Sequence, residues 1–231
     1  MVFRKFTPPV ISRQWLRRKR LTDALAAGQG LVFVSAPAGS GKTVAVAQWL
    51  SEQRNKTAWI SLDRYDNEPA VFYAGLIGAM AQAQKANRTL RCLAERAISA
   101  PDALNFFLKA MDRVLDNEKS YVLVLDDFHV IDNPEILAAL PRVIARFPNN
   151  FTLAVLSRSR APEPFASHIA KNQVLFLSAA DLRFTPGEVG RLSRLLRRDL
   201  DAEAVGGLCR EAGGWAIGIR LLSAREGDEP A

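Results

Sequence analysis

The chain has 231 residues, 48% of them hydrophobic, and a formal net charge of +7. That is enough apolar residue for one large domain or a domain with a small appendage, while no apolar stretch reaches the length of a membrane span and Met1–Phe6 lacks the core of a signal peptide. Two isolated cysteines, Cys92 and Cys209, with only two histidines, support neither a disulfide framework nor a zinc site, so a cytoplasmic protein away from any membrane is expected.

The first element is an apolar run over 31–35, followed by an amphipathic segment that predicts a helix over 43–53. A strand over 57–62 and helices over 69–85 and 101–116 come next, the helices opening on Pro69 and Pro101, which suit a first helical turn. A strand over 121–127, a helix over 134–146 and strands over 151–157 and 174–177 continue the alternation. Runs such as Val122-Leu-Val-Leu125 suit strands buried on both faces, and strands alternating with helices imply a parallel sheet covered on both sides. The expectation is a three-layer α/β domain over 31–178 with a central, mainly parallel five-stranded sheet. Beyond it only helical patterns remain, over 186–197, 201–212 and, after Gly213-Gly214, 215–223. They predict the start of a small helical subdomain, 179–224, with 225–231 as a disordered tail.

The most specific motif is Ala36-Pro-Ala-Gly-Ser-Gly-Lys-Thr43, set between the first strand and the first long helix. Small residues along Pro37, Ala38, Gly39, Ser40 and Gly41 let backbone N–H groups converge on polyphosphate oxygens at a helix N-terminus, where the dipole also favours anions. Lys42 is placed for the β and γ phosphates and the Thr43 hydroxyl for Mg²⁺. The pattern usually opens on glycine; Ala36 serves if its backbone avoids the φ > 0 region.

Leu123-Val-Leu-Asp-Asp127 reads as a buried strand ending in two acids at the edge where open parallel sheets bind ligands. Asp126 suits Mg²⁺, and Asp127 suits the orientation or deprotonation of an attacking water. The strand ending at Ser157 delivers Arg158 to the same edge, where it can sense a γ-phosphate, with Arg160 as the competing arginine. His129 reads as a packing or hydrogen-bonding residue, His168 as a surface histidine, and Trp15, Trp49, Trp59 and Trp215 mainly as core. The basic run Arg17-Arg-Lys-Arg20 fits a solvated face, an adenine or phosphate contact, or nucleic acid.

Together with Lys5-Phe-Thr-Pro-Pro9, Trp59-Ile-Ser-Leu-Asp63, Asp126-Asp-Phe-His129, Leu182-Arg-Phe-Thr185 and Gly213-Gly-Trp215, these motifs resemble the ATPase module of the maltose-regulon activator family. Its members are large ATP-binding LuxR-type regulators of the STAND class of P-loop NTPases. The resemblance implies a P-loop NTPase fold, ATP or ADP with Mg²⁺ as ligands, and residues 1–30 packed near the nucleotide, with Arg18 and Arg20 on the nucleotide side. It also implies a switch: ADP holds a closed monomer, ATP with an inducer permits self-association, and slow hydrolysis resets the state. The family continues into winged-helix, sensor and helix-turn-helix domains that this sequence does not include, so sequence-specific DNA binding by this chain alone is not expected. The competing reading is a nucleic-acid-stimulated ATPase of the AAA or RecA-like kind.

Overall fold

The computed structural model describes residues 5–28, 30–53, 55–84, 87–115, 119–163, 165, 174–196 and 200–225; His168 and 226–231, the body of the expected tail, lie outside them. Five strands, β1 (Leu31–Ser35), β2 (Lys56–Ser61), β3 (Tyr121–Asp126), β4 (Phe151–Ser157) and β5 (Val174–Leu177), form one sheet in the order β2-β3-β4-β1-β5. Every pairing is parallel, with Ser61 opposite Asp126 and Ser35 opposite Ser157. All five strands therefore end on the same edge, and the polar residues that close β1, β3 and β4 meet there.

Alternation along the strands explains their continuous apolar reading, because successive side chains enter opposite layers. Phe33, Ile60, Leu123, Leu125 and Val155 pack into a core with α3 (Pro69–Ala83), α4 (Arg88–Ala97), α5 (Ala103–Val114) and α6 (Pro134–Arg146). Their neighbours Val32, Val34, Trp59, Val124 and Leu156 pack on the other side against α1 (Lys19–Ala27) and α2 (Lys42–Ser51). A third, separate cluster of Val189, Leu192, Val205, Leu208 and Ile219 joins α7 (Pro186–Leu195), α8 (Ala202–Glu211) and α9 (Ala216–Arg225).

Two helices were not legible as such in the sequence. In α1, Leu21 and Leu25 form a buried i, i+4 pair behind a basic run, and the N-cap Arg18 makes no side-chain cap. In α4, Leu90, Leu93 and Ala97 line the buried face of an arginine-rich segment, and Asn87 caps it by accepting from the Thr89 and Leu90 N–H groups. α5 starts at Ala103, after Asp102 caps it through the Asn105 N–H, rather than at Pro101. Trp49 and Trp59 are core as expected, but Trp215 is 46% exposed and Trp15 is only half-buried.

The N-terminal segment is tied to this scaffold at two places. The Ser61 N–H donates to the Lys5 carbonyl, and the Lys5 ammonium lies 2.8 and 2.7 Å from the two oxygens of the fully buried Asp66. Farther along, Arg18 is buried and stands 3.3 Å from Glu188 at the start of α7.

Candidate nucleotide site

The loop leaving β1 turns on two glycines in left-handed backbone, Gly39 at φ +73° and Gly41 at φ +89°. Gly41 is the N-cap of α2, so the N–H groups of the following turn open onto the loop. Ala36 stays outside the φ > 0 region, which accounts for an alanine where glycine is usual. The Ser40 hydroxyl donates to the Pro37 carbonyl at 2.8 Å and stiffens the turn. Lys42 is buried, and its ammonium donates to the carbonyls of Ala36 (2.6 Å) and Pro37 (3.0 Å). Burial and the facing Arg158 hold its pKa below the usual lysine value, against the pull of Asp126 and Asp127.

Asp126 closes β3 and is buried; the Thr43 hydroxyl stands 3.2 Å from both of its carboxylate oxygens. Burial first, and the charge of Asp127 second, push the Asp126 carboxyl up to about 6. A buried carboxylate beside a hydroxyl is a hard-oxygen donor pair of the kind Mg²⁺ takes, and a cation there offsets the burial that disfavours the charge. These residues fit the metal.

Asp127 leaves the strand with φ 56° and ψ 35°, the one non-glycine residue in left-handed backbone among those described. Such strain persists where the surroundings impose it, as at ligand sites. The Arg158 guanidinium stands 3.4 Å from the Asp127 carboxylate and His129 Nδ1 stands 3.8 Å from the same oxygen. Of the two arginines, Arg158 is thus the one that reaches the acidic pair. His129 Nδ1 is buried without a hydrogen-bond partner among the described residues, and burial, then Arg158, hold its pKa below the usual histidine value. The sequence suggests a packing or hydrogen-bonding role for His129, and the short 3-10 turn Phe128–Val130 carries it back to Asp127.

Beside the loop lies a cleft of about 250 Å³, close to the lower end of the range for small-molecule sites. One wall is a stripe of α2, and the others come from Trp15, Leu16, Phe184, Leu192 and Ile217. The C-terminal helices reach the loop directly: the Ile217 N–H donates to the Gly39 carbonyl at 3.1 Å, and a Cβ on Gly39 would stand 2.8 Å from the Ile217 side chain. A larger groove of about 810 Å³ at the starts of α3, α5 and α6 carries Glu68, Asp102 and Glu135 against one cation, Arg142, a net negative lining that disfavours phosphate.

Arg18 borders the cleft, but its guanidinium lies 4.1 Å over the Phe184 ring and donates to the Leu182 and Arg183 carbonyls. Arg20 donates to the carbonyls of Asp181 and Arg183. Both bind the N-terminal segment to the residues that precede α7. The cleft residues on α2 and α9 were missed because an apolar stripe at helical spacing is indistinguishable in sequence from core.

No helix among the described residues is long and apolar enough to cross a membrane. The chain is 31% identical over 236 aligned residues to the HTH-type transcriptional regulator MalT of Klebsiella pneumoniae, covering 98% of this chain and 26% of the relative. It therefore spans about a quarter of the length of the curated relatives it matches, in agreement with the resemblance carried by the motifs. Its fold is similar to that of a STAND protein with a tetratricopeptide repeat sensor from Pyrococcus horikoshii, at TM-score 0.62 and 17% identity, covering 96% of this chain and 32% of that one. A Walker-type ATPase of Pyrococcus abyssi matches at TM-score 0.55 and 14% identity, over 91% of this chain and 67% of its own. A family match described as AAA ATPase domain runs over residues 12–156, from the segment before α1 through the loop and the acidic strand end into β4, and the chain belongs to that family.

Proposed function

We propose that this chain is the nucleotide module of a cytoplasmic LuxR-type transcriptional regulator, binding ATP or ADP with Mg²⁺ and hydrolysing ATP slowly to set a conformational or assembly state. The reading is carried by the convergence of Lys42, Thr43, Asp126, Asp127 and Arg158 at one sheet edge beside the glycine loop. In this reading 31–178 is the NTPase domain and 179–224 the helical part that closes over it.

The loop N–H groups at the start of α2 bind phosphate oxygens, and Lys42 exchanges its two carbonyl partners for them in a charge-assisted contact. Thr43 and Asp126 would hold Mg²⁺, which would supply neutralisation of phosphate charge when bound. Asp127 orients the attacking water and takes its proton, while Arg158 offsets the charge that develops on the transferred group. Ile217 on Gly39 gives the C-terminal helices a direct mechanical link to the phosphate loop.

Lys42→Ala tests the site: the folded variant should lose binding of a fluorescent ATP analogue by at least tenfold, and near wild-type affinity would falsify the phosphate-loop assignment. Phosphate release tests the switch. Turnover well below the roughly 10 s⁻¹ of dedicated enzymes supports it, whereas fast turnover stimulated by DNA returns the reading to a nucleic-acid-driven ATPase.

A further inference from the structure

The cleft beside the loop has a direction. The α2 stripe that lines it consists of Gly41, Val44, Ala45 and Gln48, the i, i+3, i+4, i+7 spacing of one helix face. Gly41 marks the phosphate end, and at 1.5 Å per residue Gln48 lies about 10 Å farther along the axis. Leu16 meets Gln48 at that far end, and Trp15, Leu192 and Leu196 add apolar lining to the cleft. A nucleotide held at the loop by its phosphates lays its base there.

Gln48 is 4% exposed and shares the cleft lining with one other buried polar side chain, Arg18, whose guanidinium is already spent on Glu188 and on the Leu182 and Arg183 carbonyls. Gln48 Nε2 donates to the Leu16 carbonyl at 3.1 Å. That partner can only accept, so the amide cannot be turned around without setting oxygen against oxygen. The orientation leaves Oε1 as an acceptor to which no described residue donates.

We propose, on the reading that this cleft holds a nucleotide, that Gln48 selects the base: Oε1 accepts a hydrogen bond from the exocyclic amine of a 6-aminopurine. A 6-oxopurine puts a carbonyl oxygen against Oε1 and loses the bond. A buried polar group built to pair with a substrate N–H discriminates strongly against the analogue that lacks it. Gln14 and Arg220 also border the cleft but are exposed, and Arg220 carries donors only, which favour the opposite, 6-oxo, base.

The test is equilibrium binding of ADP and of inosine diphosphate, both with Mg²⁺, to the full chain and to Gln48→Met, which keeps the side-chain length and removes both polar atoms. Wild type should bind ADP at least tenfold tighter than the inosine nucleotide, and Gln48→Met should bring the two within about threefold, chiefly by weakening ADP. Loss of the Leu16 contact alone weakens both nucleotides equally and leaves the ratio unmoved. A wild-type ratio near one, a preference for the inosine nucleotide, or an unchanged ratio in the variant overturns the role of Gln48 while leaving the nucleotide site standing. Failure of wild type to bind either nucleotide overturns both. The wild-type ratio needs no variant, so a misfolded Gln48→Met does not remove the test.

Discussion

Asp126 is held in a place that suits its charge poorly, and that tension is measurable. Its carboxyl is pushed up to about 6 by burial and by Asp127, from an ordinary value of 3.8. The protonated form is thus the one the fold favours: below pH 4 the group costs nothing, and stability is lost as pH rises from about 4 through 6. A shift of this size corresponds to at most about 3 kcal/mol at pH 7. Asp126→Asn should therefore be more stable than wild type at pH 8 with chelator present, by up to that amount. The advantage should fade by pH 4, as read by urea unfolding at each pH, and an advantage independent of pH would contradict the assignment. With nucleotide and Mg²⁺ the order of merit reverses, since Asp126→Ala should weaken Mg²⁺-dependent binding, whereas Asp127→Ala should keep ATP bound and slow its hydrolysis. Indistinguishable phosphate release and affinity in the two alanine variants would refute this division. The acid pair was legible in the sequence, because an apolar strand ending in Asp-Asp has few other uses. His129 was not, since its approach to Asp127 depends on left-handed backbone at Asp127, which no residue pattern announces.

At the scale of elements, Glu188 is the joint between the N-terminal segment and the C-terminal helices. It completes a capping box with Thr185 at the start of α7 and pairs with both Arg18 and Arg20. Glu188 and Arg18 are buried, so removing one partner leaves a charge in a dry place, at a cost of about 3–5 kcal/mol. Glu188→Ala is expected to lower stability by that order in denaturant unfolding, and to loosen α7–α9 before the sheet. Hydrogen exchange resolves the order: faster exchange confined to α7–α9 is expected, and uniform acceleration would show that the pair serves the whole fold instead. The motif Leu182-Arg-Phe-Thr185 and the basic run at Arg17–Arg20 were both conspicuous in the sequence. Their contact was not, because 164 residues separate Arg18 from Leu182 and no local pattern couples them.

For the whole molecule, the formal charge of +7 is a prediction about DNA. The sequence carries no helix-turn-helix signature, and part of the basic run is spent on contacts to Glu52, Glu188 and the Asp181 carbonyl of the chain itself. Duplex DNA should therefore bind weakly, without sequence preference, and be released between about 50 and 200 mM salt, as phosphate attraction alone dictates. A sequence-selective complex that survives physiological salt in a mobility-shift experiment would revive direct DNA recognition.

The sequence by itself determined the strand–loop–helix order, the buried parallel sheet, the glycine loop before α2 and the acidic strand end. These are local: strand periodicity, glycine at left-handed positions and charges at strand ends are written within a few residues of one another. Only the tertiary structure decided that Arg18 and Arg20 face the C-terminal helices, that Arg158 rather than Arg160 reaches Asp127, and that Ile217 caps the loop at Gly39. It also decided that the apolar stripe of α2 ends on a fixed amide at Gln48. Each of these is a meeting of segments distant in the chain, set by strand order and by the layers that cover the sheet, and a one-dimensional pattern carries no record of which of its faces will meet.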